Sequence, residues 1–149
     1  MAFKRHDVRT ITLPAPKLVP GVVEIIYRSN KRKHMHDIQE LPLFKNTFDL
    51  LRAFHELHGK MPKASRYTLG GRIEDELLGM LTDIMEAGRV TKALKNPILE
   101  RALRKNDTLK VLLRLAEATK VIEGKKHDAL QASLQRIGSM LGGWRRSSQ

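Results

Sequence analysis

The chain has no cysteine in its 149 residues. Disulfides, thiolate metal sites and cysteine nucleophiles are therefore excluded. Aromatic residues are scarce: four Phe, two Tyr and one Trp. Phe44, Phe48 and Phe54 fall on a helical stripe, which leaves little for the base stacking that single-strand binders use. No apolar run approaches the roughly 20 residues needed to cross a bilayer, and no stretch reads as a basic amphipathic helix suited to a lipid interface. A membrane partner is thus not expected. The first residues, Met1 to Asp7, lack the apolar core of a signal peptide, so the cytoplasm is the default location.

Catalytic patterns are missing as well. There is no phosphate loop and no dinucleotide fingerprint. Ser133 and Ser139 have no histidine placed to activate them. Glu74, Asp75 and Glu76 are consecutive, so on a helix their carboxylates point in different directions. His55 and His58 stand one turn apart and could share a metal, but no motif supplies further ligands. The sequence reads as no enzyme, with no metal and no cofactor.

Acidic residues are the minority charge: 16 Asp and Glu against 28 Lys and Arg, a formal net charge of +12 and a pI near 10.3. Such an excess suits a polyanionic partner. With so few aromatics, the contacts would go mostly to phosphates, hence sequence-independent and salt-sensitive.

The charge is uneven. Residues 1–35 hold eight Lys or Arg against two acids, half the net charge. Pro14, Pro16 and Pro20 exclude a long helix there. Val22 to Tyr27 is strand-like but has nothing to pair with. This segment reads as a basic, irregular extension, disordered or preceding a start at Met35, or as an arm for nucleic acid. Residues 36–149 read as helical. Pro42 suits a helix start, and Leu43, Phe44, Phe48, Leu51, Phe54 and Leu57 give one apolar face up to His58. After Gly59-Lys60-Met61-Pro62, Ser65 offers a cap for a second helix with Leu69, Ile73, Leu77, Met80, Leu81, Ile84 and Ala87 inward. Gly70-Gly71 inside it fits close helix approach. Asn96-Pro97 is placed to start a third helix running to about Lys120. The fourth carries Leu130, Leu134, Ile137, Leu141 and Trp144 at steps of four and three. Gly142-Gly143 is expected to loosen its end and let Trp144 leave the stripe. Four amphipathic helices with short links predict an all-α, up-and-down antiparallel four-helix bundle.

The third helix has a surplus. From Leu109 to Ala118 only Lys110, Arg114 and Glu117 are polar, and they form one narrow stripe. The rest of the circumference is apolar, so another copy of the chain is expected to cover it; burial deep in the bundle is the competing reading. In an oligomer, Lys110 and Arg114 would repeat as rings of positive charge. Arg101, Arg104 and Lys105 add charge near the helix start, and Arg145 and Arg146 at the chain's end. These seven are the candidate nucleic-acid or partner-binding residues; Arg101, Arg104 and Lys105 taken singly also suit an ordinary solvated face.

Four stretches stand in order: Leu41-Pro42-Leu43-Phe44, Met61 to Gly70, Leu112-Leu113-Arg114-Leu115-Ala116 and Ile137 to Trp144. Together, over about residues 38–146, they resemble the accessory variability determinant family, the four-helix-bundle accessory proteins of diversity-generating retroelements. The resemblance implies a homopentameric barrel with a basic surface. It implies binding to the element's reverse transcriptase and to RNA or DNA, in support of error-prone copying of a template RNA. Lys110 and Arg114 match the family's basic pair on the third helix; lysine at 110 keeps the charge but not the bidentate fork of arginine. A weaker likeness is to bundle proteins encoded in ribosomal-RNA intervening sequences. That alternative implies a structural RNA-associated protein with no polymerase partner.

Overall fold

The structure, a computed structural model, describes residues 37–149. The expectations for residues 1–35 lie outside the described residues. Within these, every regular element is helical: α1 (Pro42–His58), α2 (Lys63–Ser65), a π-helical turn (Arg66–Gly70), α3 (Gly71–Arg89), α4 (Lys92–Ala118) and α5 (Gly124–Ser147). The three pieces from Lys63 to Arg89 follow one another without a break. Helix α4 packs on α3 and α5, and α1 packs on α3 and α5.

Leu41 precedes Pro42, which occupies the first turn of α1 without needing an amide partner. The buried stripe of this helix is Leu43, Thr47, Leu50 and Phe54. Of the expected face, Leu43 and Phe54 are buried and Phe44, Leu51 and Leu57 pack partly buried against the core, while Thr47 and Leu50 take the place expected of Phe48. Phe48 is 47% exposed and stacks on Phe44 at 6.1 Å between ring centroids. Thr47 is tolerated inside because its hydroxyl donates to the Leu43 carbonyl at 2.8 Å. Polarity hid the true register: a threonine satisfied by its own helix packs like a β-branched apolar residue.

The inward set of the second segment is as expected, from Ile73 through Ala87, with Leu69 partly buried against the core. Its start is not. Lys63 follows Pro62, and Ser65 lies inside the helix making no capping hydrogen bond. Helix α4 also begins earlier than expected, at Lys92 with Thr91 as N-cap, so Pro97 sits inside it. As the sixth residue of the helix, Pro97 removes the amide that would donate to the Ala93 carbonyl. Asn96 caps nothing; its Oδ1 is buried without a partner among the described residues.

Helix α5 runs through Gly142-Gly143 to Ser147. Leu130, Leu134, Ile137 and Leu141 are buried, and Trp144 continues the stripe as a half-buried side chain under Lys95, whose Nζ lies 5.4 Å from the ring centroid. The helix persists because a buried stripe holds it on both sides of the glycines. Helices α4 and α5 meet closely at Asn106 and Gly138. A Cβ on Gly138 would stand 2.8 Å from Asn106 Nδ2. Asn106 is fully buried, with neither amide atom hydrogen-bonded among the described residues.

Gly70 and Gly71 differ in the same way. A Cβ on Gly70 would lie 2.6 Å from the His58 ring and 2.9 Å from Met61 Sδ, whereas one on Gly71 meets nothing closer than 3.6 Å. Gly70→Ala should therefore destabilise by about 1–3 kcal/mol through overpacking. Gly71→Ala should be neutral or stabilising by up to about 1 kcal/mol. Urea midpoints of the two variants check the opposite signs.

Candidate functional site

The seven candidate cations divide between two edges of α4, the outward strip between them and the end of α5. A helix turns about 100° per residue, so the outward strip of α4 is Arg104, Thr108, Val111 and Leu115, at steps of four, three and four. All four are exposed. Val111 is 62% and Leu115 48% exposed, while Leu112 is partly buried against the core. The apolar surplus of this helix is therefore real within one chain, and deep burial is excluded for Val111 and Leu115.

On the edge toward α5 stand Lys110 and Arg114. Lys110 is 28% exposed and makes a long ion pair, 3.4 Å, with Asp107. Its backbone carbonyl accepts a hydrogen bond from Gln131 Nε2 at 3.0 Å, which ties this turn of α4 to α5. Arg114 is exposed and has no ion pair among the described residues. Glu117, the third polar residue of the stripe, lies 3.4 Å from Nδ1 of the buried His127.

On the opposite edge, Arg101 and Lys105 are engaged by α3. Arg101 Nε donates to Asp83 Oδ1 at 2.7 Å and its NH2 group to Glu86, and Lys105 Nζ donates to Asp83 Oδ2 at 2.6 Å. The Asp83 hydrogen bond holds the Arg101 pKa above its ordinary value. Asp83 is almost wholly buried, and both its oxygens are occupied. Asp83 and Glu86, three apart, face cations four apart, a pattern visible in the sequence only once α3 and α4 are known to touch. Arg104, between these edges, is exposed. Arg145 lies 3.7 Å from Glu100, and Arg146 is exposed at the end of α5. The structure thus brings Lys110 and Arg114 together, engages Arg101 and Lys105 elsewhere, and places Arg145 and Arg146 on the neighbouring helix.

The histidine pair has a different role from the metal site weighed above. Glu74 receives His55 Nδ1 at 2.5 Å and His58 Nδ1 at 2.8 Å, and His58 Nε2 donates to the Arg66 carbonyl at 2.8 Å. The trio ties α1 to the π-helical turn and α3. Burial alone would raise the Glu74 pKa, but the hydrogen bonds and charges of His55 and His58 outweigh it and hold the carboxyl below 4.5.

These features define a strongly basic protein whose described residues fold as helices and present an apolar strip beside Lys110 and Arg114. Comparison places it further: the chain belongs to the bAvd-like family, whose model matches residues 41–148, in agreement with the family its ordered motifs resemble. A comparison with curated proteins gave no match. No helix among the described residues is long and apolar enough to cross a membrane.

Two outcomes follow from the paired charges. Arg101→Met with Lys105→Met should cost about 3–5 kcal/mol, because Asp83 is left charged and buried without a counter-charge; thermal denaturation reads this. A carboxyl with a lowered folded pKa stabilises above its unfolded value and loses that contribution as pH falls through the folded one. The stability Glu74 contributes should therefore be present above pH 4.5 and disappear on further acidification. Glu74→Gln should flatten that part of the stability–pH curve measured by urea unfolding.

Proposed function

We propose that this protein is a non-enzymatic, cytoplasmic accessory subunit of a diversity-generating retroelement, one that binds the reverse transcriptase and its template RNA or cDNA and so supports mutagenic copying. In this reading residues 36–149 are an up-and-down antiparallel four-helix bundle, residues 1–35 a basic extension, and five copies form a barrel. Membership in the bAvd-like family supports the accessory role. Side-chain pairings support the helix directions: Lys110 meets Gln131 while Asn106 meets Gly138, and His55 meets Glu74 while His58 approaches Gly70. Residue numbers rise on one helix of each pair as they fall on the other.

The observation that carries the proposal is the exposed strip of Val111 and Leu115 beside Lys110 and Arg114. Copies that bury the strip line up the cations, and a ring of like charges focuses potential on a phosphate backbone. Arg101 and Lys105 serve the bundle through Asp83, and the phosphate contacts fall to Lys110, Arg114, Arg104 and Arg146.

Val111→Lys with Leu115→Lys should shift the mass measured by light scattering from the oligomer to the monomer with helicity retained. Lys110→Ala with Arg114→Ala should leave the oligomer intact, weaken reverse-transcriptase and template-RNA binding, and lower the slope of log Kobs against log salt by about 1–2. A double variant that binds RNA more weakly while the parent shows no affinity for the polymerase would favour the intervening-sequence type of RNA-associated bundle instead.

A further inference from the structure

We infer that the end of the bundle formed by the α1–α2 and α4–α5 connections is a second phosphate-binding site, separate from the Lys110–Arg114 edge and specific for polynucleotide backbone. Lys60, Lys120, Lys125 and Lys126 line one pocket of about 430 Å³ there, over an apolar floor of Leu57, Met61, Val121 and Ile122. Glu123 is the single carboxylate on its rim. All four lysines are exposed, and none has an ion pair or side-chain hydrogen bond among the described residues. Arg101 and Lys105 differ: their guanidinium and ammonium groups pair with Asp83 and Glu86 and hold α4 to α3, whereas these lysines pair with no carboxylate among the described residues.

Lys120, Lys125 and Lys126 stand where local physics disfavours lysine. Lys120 has φ +57°, the left-handed conformation that follows the last turn of α4, and it is the only non-glycine with positive φ among the described residues. Glycine is the residue that takes this position without strain. Lys125 and Lys126 lie in the first turn of α5, which has no acidic residue; the N-cap is Glu123, whose side chain makes no capping hydrogen bond. Cations at that end oppose the helix dipole, where carboxylates are the favoured residues. Two local rules are thus broken within a few residues around one cavity, both in favour of lysine. Features that break local rules together mark a functional site rather than a fold requirement.

The chemistry that offsets them is a phosphodiester. Its oxygens replace the missing counter-charge for several ammonium groups at once. An adjoining slot of about 250 Å³ shares Leu57, Lys60 and Lys126 with the pocket and continues between Ala53, Ala129 and Leu130, with Glu56 at its side. A phosphate among the lysines can therefore carry its sugar and base along a mainly apolar wall. The slot is lined by no aromatic residue, so the site reads backbone and not sequence.

The inference extends the nucleic-acid reading above but stands on different residues, which makes the two separable. The probe is a fluorescein-labelled single-stranded RNA of fixed length, titrated by anisotropy against the full chain over a range of salt. Lys120→Gly with Lys126→Ala should lower the slope of log Kobs against log salt by roughly 1 to 1.5, and by the same amount when Lys110→Ala and Arg114→Ala are already present. The melting temperature should hold or rise, since glycine relieves position 120; a loss of binding then has no structural explanation. Lys125→Gln with Lys126→Gln, which leaves position 120 untouched, should lower the slope similarly. An unchanged slope in both lysine variants overturns the inference. If the lysine variants lose affinity while Lys110→Ala with Arg114→Ala does not, this site stands and the assignment on α4 fails. Parent protein that binds phosphatidylserine vesicles and not the RNA sinks both.

Discussion

Helix α4 must satisfy contacts on most of its circumference. One side packs on α3 and another on α5, and the outward strip keeps Val111 and Leu115 in solvent. Burying apolar area stabilises by about 25 cal/mol per Å², so a bundle that leaves two such side chains in contact with water has more to gain from a further surface. The remaining features of the chain arrange themselves around this helix. Its α3 edge is fixed by Asp83 and Glu86, its α5 edge by Gln131 and the close passage of Gly138 over Asn106. What is left over is an apolar strip with Arg104 on it and Lys110 and Arg114 alongside.

The positive charge of the protein is accordingly of two kinds. Some cations are internal fasteners. Asp83 is nearly inaccessible and takes a hydrogen bond on each oxygen; such a carboxylate is tolerable only because two cations meet it. Glu74 plays the matching part between α1, the π-helical turn and α3, with histidines as donors. Other cations, Arg114 and the lysines at the end of the bundle, make no ion pair among the described residues. Net charge alone does not separate the two kinds, although only the second kind is free to meet a polyanion.

Much of the helical organisation was legible in advance. The steps of four and three in α5 mark Leu130, Leu134, Ile137 and Leu141, and all four are buried. The apolar excess of α4 was equally plain, because only three polar residues interrupt ten. Polar residues used as interior ones were not legible. Thr47 returns its hydroxyl to its own helix, Asn106 packs under a glycine, and His127 lies against Glu117. Periodicity treats each as surface, so on α1 the expected face holds Leu43 and Phe54 correctly but puts Phe48 inside in place of Thr47 and Leu50. Capping signals also misled. Ser65, Asn96 and the pair Gly142-Gly143 have the residue types of helix ends, but packing against neighbouring helices carries the backbone straight through them.

What the sequence by itself determined is the number of amphipathic segments, their inward stripes, the excess of positive charge and the likeness to a family, because each depends only on residue type and spacing along one chain. What only the tertiary structure decided is which charges are spent. Arg101 and Arg104 are indistinguishable as letters, one turn apart on the same helix. One meets Asp83 and Glu86 across the gap to α3, and the other faces outward. The difference is set by the rotation of α4 about its own axis when it packs, a property of the neighbours it packs against and not of its own sequence.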